Sequence, residues 1–245
     1  MIGLRILIVL TAALSTVDTL GQNIKLPTSC HSAVVPASKD WSEWTKLHRR
    51  FKQQSSTERP RLIFLGDSIT QGWTKEGLKT WNHYYNPLAA ANFGIAGDRT
   101  QHLLYRIQDG YFLENQPEVV VVLIGTNNIK EQRNTPPETV EGIEKVVEVL
   151  AKQLPKTRIL LLGILPCGES PTSQQRQDTA AVNLSLSQKS FGETVRFLDL
   201  GQHFLQSEGM ISKEIMPDFL HLSSKGYQLL AEKLEPRLQQ LMSAK

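Results

Sequence analysis

Four short groups of residues could carry out chemistry together. Gly66-Asp67-Ser68-Ile69 puts a hydroxyl directly after an apolar run, where Ser68 would stand exposed at a turn. Asp218 and His221 lie three residues apart, close enough in one segment for the carboxylate to hold the imidazole in a single tautomer. Gly94 follows a second apolar run, and Asn127 comes just after a third, so a backbone amide and a side-chain amide supply hydrogen-bond donors. A nucleophile, a base, an orienting carboxylate and oxyanion donors are the apparatus of acyl transfer. Each group also has a plainer use. Asp67-Ser68 is a common helix N-cap, Gly94 and Gly97 suit turns, Asn127-Asn128 is turn chemistry, and Asp218 with His221 could be a surface pair. Their order, and their shared position after strands, favours the chemical reading.

The elements that must position them are legible as alternating runs. Leu62–Leu65, Ala90–Phe93, Val119–Ile124, Ile159–Leu165 and Val195–Leu198 are short apolar stretches of the kind that form parallel strands covered on both faces. The clearest helix begins at Thr135, with Pro136 and Pro137 in its first turn and Glu138 closing a capping box. It turns Val140, Ile143, Val147, Leu150 and Leu154 inward. A last helix from about Ser224 carries Leu230, Leu234, Leu238 and Leu241 on one side and is expected to bend at Pro236. Trp41, Trp44, Leu47 and Phe51 recur at helical steps and mark the apolar face of an earlier helix. The alternation predicts an α/β fold, a three-layer α/β/α sandwich around a flavodoxin-like parallel sheet of about five strands. Ligands of such sheets bind beyond the carboxyl ends of the strands. Ser68, Gly94 and Asn127 fall there, and the loop with Asp218 and His221 can return to that edge.

Composition narrows the alternatives. The chain has 245 residues, 40% hydrophobic and 21% charged, with a net charge of +3, which suits one medium domain and gives no case for a nucleic-acid partner. Two cysteines, Cys30 and Cys167, exclude a disulfide framework and a Cys-based zinc site; whether they pair stays open. His31, His48, His83, His102, His203 and His221 show no paired ligand spacing, so no metal is expected. No Gly-x-Gly-x-x-Gly or Gly-Lys-Ser/Thr loop supports nucleotide or flavin binding. Arg5 followed by the apolar run Ile6–Leu14 reads as a signal peptide over residues 1–21, too short to span a bilayer. The expected product is a secreted or periplasmic single domain, residues 22–245, with an N-terminal arm and helix over 22–59. Asn183-Leu184-Ser185 is a glycosylation sequon, meaningful if a eukaryote exports the chain.

Gly66-Asp67-Ser68-Ile69, Gly94, Gly125-Thr126-Asn127-Asn128 and Asp218-Phe219-Leu220-His221 resemble the four blocks of the GDSL/SGNH hydrolases. The likeness extends to the catalytic subunits of intracellular platelet-activating-factor acetylhydrolases through Asn92-Phe93-Gly94-Ile95-Ala96-Gly97-Asp98 and Leu165-Pro166-Cys167-Gly168-Glu169. It covers about Trp44 to Leu241. The resemblance implies Ser68 as nucleophile, His221 as base and Asp218 as its orienting carboxylate. It implies an oxyanion hole from the amides of Ser68 and Gly94 and the side chain of Asn127, with Asp67 pinning the turn. The implied cycle passes through an acyl-enzyme and needs no cofactor. Ile69, Thr126 and Leu220, beside the nucleophile, the Asn and the His, would crowd the acyl group, so acetyl esters are expected. The implied partner is a small ester of a sugar or a lipid, and such relatives form dimers, so a homodimer is an expectation. A carbohydrate O-acetyl esterase and a catalytically silent binding module are the alternative readings, and export would depart from the intracellular relatives.

Overall fold

The computed structural model describes residues 31–111 and 116–243. The signal-peptide expectation and Cys30 lie outside the described residues. Five parallel strands, β1 (Leu62–Gly66), β2 (Ala90–Gly94), β3 (Val119–Leu123), β4 (Arg158–Leu162) and β5 (Val195–Leu198), form one sheet in the order β2-β1-β3-β4-β5. The chain adds β2 on one side of β1 and then crosses to place β3 on the other, which creates a switch point at β1. Gly66 is level with Gly94 on one side and Leu123 on the other, so the loops leaving these three strands emerge side by side.

β1 and β3, and β4 after Arg158, are apolar at every position because both faces are covered, while the edge strands β2 and β5 carry Asn92 and Arg196. Ile63, Leu65, Val120, Val122, Ile159 and Leu161 pack under α1 (Ser42–Thr57), α4 (Thr100–Gln108), α6 (Pro136–Gln153) and α7 (Gln174–Ser187). The alternate residues Leu62, Phe64, Val119, Val121, Leu160 and Leu162 face α3 (Leu78–Tyr84) and α8 (Ser224–Ser243). Burying each such side chain contributes roughly 1.5–3 kcal/mol before the entropy of ordering is counted. Two one-turn helices, α2 (Ser68–Gln71) and α5 (Thr126–Ile129), sit directly after β1 and β3. The sandwich is the expected one.

The capping box forms, with the Glu138 amide donating to Thr135 Oγ1 at 3.4 Å and the Thr135 amide to Glu138 Oε2 at 3.0 Å. α8 runs through Pro236 to Ser243. Three expectations need correction. Trp41 is 47% exposed, because its backbone is still extended at the N-cap of α1; His48, four residues after Trp44, takes its place on the buried face. β4 ends at Leu162 although the apolar run continues to Leu165. Beyond it Ile164 bonds to a side chain instead of a strand: Asn183 Oδ1 accepts its N–H and Asn183 Nδ2 donates to its carbonyl, both at 2.9 Å. That use buries Asn183 within α7, so the sequon offers no free amide in the folded chain. Among the described residues, no helix is long and apolar enough to cross a membrane.

Candidate active site

Ser68 is the first residue of α2 and half-buried at the switch point. Asp67, the N-cap, fixes this turn by accepting the Ile69 amide on Oδ1 at 3.0 Å. On the other side of the rim, Phe219 takes a left-handed φ of 59°, and the chain folds Asp218 and His221 back onto one another. Asp218 Oδ1 accepts the amides of Leu220 (3.1 Å) and His221 (2.7 Å), while Oδ2 accepts His221 Nδ1–H at 2.7 Å. A carboxylate can only accept, so Nε2 of the neutral ring is left as an acceptor, and the Ser68 hydroxyl donates to it at 3.0 Å. Partial burial pushes the Asp218 carboxyl up, but the bond from His221 and the backbone amides outweigh it and hold the group below the usual carboxylate value. The three residues expected to act together do meet.

A device that sequence reading missed holds the Asp218–His221 loop. The Gly168 amide donates to Phe219 O at 2.8 Å. Arg176, buried on α7, donates in turn to the carbonyls of Cys167 (3.1 Å), Gly168 (2.7 Å) and Gly209 (2.7 Å). Cys167 is therefore a buried packing residue in this strut; burial pushes its thiol up.

The expected oxyanion donors divide. Ser68 N–H lies in the first turn of α2, and among the described residues no acceptor takes it. Gly94 needs correction: its amide donates to Asn92 Oδ1 at 2.9 Å and is occupied. Gly97 lies farther along the same loop with φ of 71°, and among the described residues nothing accepts its N–H. Asn127 Nδ2 donates to Asp98 O at 3.0 Å and lies 3.3 Å from Asp67 Oδ2, a long contact that a better acceptor can displace. Asn128, by contrast, is buried and serves structure, accepting the Thr100 amide at 2.9 Å and donating to Asn134 at 3.0 Å. Beneath the loops Arg106 ties the strand ends together through Phe93 O (2.7 Å), Gly66 O (3.2 Å) and Asp98 (2.9 Å). Burial, with the nearby Asp98 charge adding to it, pushes the Asp67 carboxyl up to about 7 against the bond from the Ile69 amide.

The acyl-pocket expectation also needs correction. A cleft of about 300 Å³ opens beside Ser68 and His221, bordered by Gln71, Gly72, Lys75, Glu76, Ala96, Leu222 and Tyr227. Ile69, Thr126 and Leu220 do not border it. Ile69 follows its amide bond inward and is buried in the core on the α8 side, Thr126 is buried, and Leu220 is partly exposed. Adjacency in sequence to a site residue does not put a side chain on the same surface: in a one-turn helix the next residue points elsewhere.

The model of the GDSL-like Lipase/Acylhydrolase family matches residues 64–229, a span that includes Ser68, Asn127, Asp218 and His221. The chain is 37% identical over 201 residues to the platelet-activating factor acetylhydrolase IB subunit alpha2 of Homo sapiens, covering 81% of this chain and 85% of that one. It is 34% identical over 200 residues to subunit alpha1 of Rattus norvegicus, covering 82% and 84%. A solved GDSL-like lipase from Bacteroides thetaiotaomicron superposes with a TM-score of 0.65 at 20% identity, covering 79% of this chain and 97% of that one. An acetylxylan esterase from Geobacillus stearothermophilus superposes at 0.56 with 16% identity, covering 75% and 94%. The two structures speak for the fold; the family match and the sequence relatives, together with the relay at the switch point, show that this chain belongs to the GDSL-like lipase/acylhydrolase family and is a carboxylic ester hydrolase.

Proposed function

We propose that the chain hydrolyses short-chain esters, acetyl esters first, through an acyl-enzyme on Ser68. The observation that carries this is the continuous relay from the Ser68 hydroxyl through His221 to Asp218, at 3.0 and 2.7 Å. His221 Nε2 takes the hydroxyl proton as Oγ attacks the ester carbonyl. Asp218 accepts from Nδ1 throughout and stabilises the imidazolium. The negative carbonyl oxygen is met by the amides of Ser68 and Gly97 and by Asn127 Nδ2, which gives up its long contact with Asp67. The imidazolium returns its proton to the leaving alcohol, and water repeats the sequence to free the acid. Gly97 replaces Gly94 in this assignment because its amide has no competing acceptor.

The short acyl group is supported by the acetylhydrolase relatives and by the cleft's limited size, closed behind Gly72 by the Tyr227 hydroxyl, which donates to Ile69 O at 2.7 Å. The signal-peptide pattern of residues 1–21 supports export; N-terminal sequencing of the secreted product would reveal cleavage, and an intact Met1 would refute it. Ser68→Ala and His221→Ala should each lose nearly all turnover of nitrophenyl acetate, since the two act as a unit. An organophosphonate should label Ser68 in the native chain and nothing in Ser68→Ala. Unchanged turnover in Ser68→Ala would defeat the mechanism, and preference for octanoyl over acetyl esters would defeat the acyl-length reading alone.

A further inference from the structure

The arm that precedes α1 lies across the start of α4 and against α6. The Ala37 amide donates to Gln101 O at 3.1 Å, Thr100 Oγ1 donates to Ala33 O at 2.7 Å, and His31 pairs with Glu141 at 2.9 Å. Held in this way, the arm sends Lys39 inward, its side chain 18% exposed. Lys39 Nζ donates to Ala96 O at 3.0 Å and lies 3.3 Å from Asp98 Oδ1. Trp44, at the start of α1, donates to the same carboxylate oxygen at 2.8 Å. On the opposite side Gln71 Oε1 accepts the Ala96 amide at 3.2 Å.

We infer that Lys39 is a positioning residue for the oxyanion hole and that the N-terminal arm is part of the catalytic apparatus. The inference rests on the acyl-enzyme reading above. Its physical basis is that Ala96 C=O and Gly97 N–H belong to one planar peptide unit. An ammonium bonded to the carbonyl end fixes the plane and draws electron density from the amide end, making the N–H a stronger donor. The same ammonium pulls on Asp98, whose own carbonyl receives Asn127 Nδ2. One cation from outside the sheet therefore orients two of the three oxyanion donors. It lies close behind them: a Cβ placed on Gly97 would be 3.2 Å from Lys39 Nζ. Arg106, also on Asp98, lies under the strand ends and cannot substitute, since it is committed to Phe93 O, Gly66 O and Tyr111.

Steady-state kinetics on nitrophenyl acetate with Lys39→Met, Lys39→Gln and Lys39→Arg would test this, with Lys52→Met as the matched loss of an exposed charge. A misoriented donor should cost Lys39→Met about 10- to 100-fold in kcat with little change in KM. Lys39→Arg should recover most of the loss, Lys39→Gln should fall between, and Lys52→Met should match the native chain. The rate of Ser68 phosphonylation should follow the same order, because the phosphoryl oxygen occupies the same hole. The inference is overturned if Lys39→Met keeps native kcat, if the loss appears in KM alone, or if Lys39→Arg is no better than Lys39→Gln. Should Lys39→Met not fold, the Arg and Gln variants alone decide. Inactive Ser68→Ala beside a native-like Lys39→Met would sink this inference only, whereas active Ser68→Ala would sink the mechanism beneath it.

Discussion

Asp67 separates what its residue type announces from what its surroundings make of it. As the N-cap of α2 it needs only an acceptor for the Ile69 amide, a task that Asn performs equally well. Buried at 1% exposure, it has its carboxyl pushed up to about 7. In the unfolded chain the group titrates near its ordinary value, about 4. Between about pH 4 and pH 7 the native state therefore binds more proton than the unfolded state, so stability falls as pH rises through that window and levels off above it. Asp67→Asn lacks this penalty. The stability of the variant minus that of the native chain, from urea denaturation, should grow by more than about 1 kcal/mol between pH 5 and pH 8. Carboxylates that are held low, such as Asp218, cancel in that difference. A flat difference would show that Asp67 does not titrate in this range. At this scale the meeting of Ser68, His221 and Asp218, proposed as nucleophile, base and orienting carboxylate, was legible, because a triad needs particular residue types. The acyl-pocket residues were not, because side-chain direction in a one-turn helix depends on what packs beneath it.

At the scale of the element, the loop after β2 explains why Gly94 and Gly97 look alike in sequence and act differently. A Cβ on Gly94 would lie 2.2 Å from the backbone N of Gln71 and 2.6 Å from the carbonyl carbon of Thr70. Neither atom can move without separating β2 from α2, which also share the bond from Asn92 Nδ2 to Thr70 O at 2.7 Å. Gly94→Ala should therefore destabilise the fold by more than about 2 kcal/mol. Gly97 needs its glycine for a φ of 71°, and its nearest obstacle is the end of a flexible lysine. Gly97→Ala should cost only about 1–2 kcal/mol of stability, yet lose kcat as the amide tilts. Urea midpoints and kcat measured on both variants would give opposite rankings; Gly94→Ala folding normally with the larger kcat loss would restore Gly94 as the donor. Sequence located the loop but picked out Gly94, whose amide is already taken. The choice lies in the Asn92 side chain, which consumes one amide and leaves the other.

Across the whole molecule, the architecture was legible because strands buried on both faces leave continuous apolar runs, and β3 is Val-Val-Val-Val-Leu without interruption. The same property hid where β4 stops, since Gly163-Ile164-Leu165 stays apolar after leaving the sheet. What replaces the strand partner there is Asn183, sixty residues from β3 and on a helix, which bonds both backbone groups of Ile164 and donates to Asp199 Oδ2 at 3.1 Å. Asn183→Ala would strand the N–H and the carbonyl of buried Ile164 together, while the exposed Asp199 carboxylate would turn to water. Each unsatisfied group costs about 1–3 kcal/mol, so the variant should unfold at clearly lower urea concentration. The bonds from Arg176 to Cys167 and Gly168 that hold the Asp218–His221 loop do not use Asn183, so kcat below the melting range should stay close to native. A glycan on Asn183 would replace one of the two Nδ2 hydrogens that bond Ile164 O and Asp199 Oδ2 and would add bulk at a buried position of α7. Folded, active protein from a eukaryotic secretory host should therefore show no mass change at this residue on treatment with a peptide N-glycosidase. A fully active fraction with sugar on Asn183 would mean that β4 is not terminated in this way.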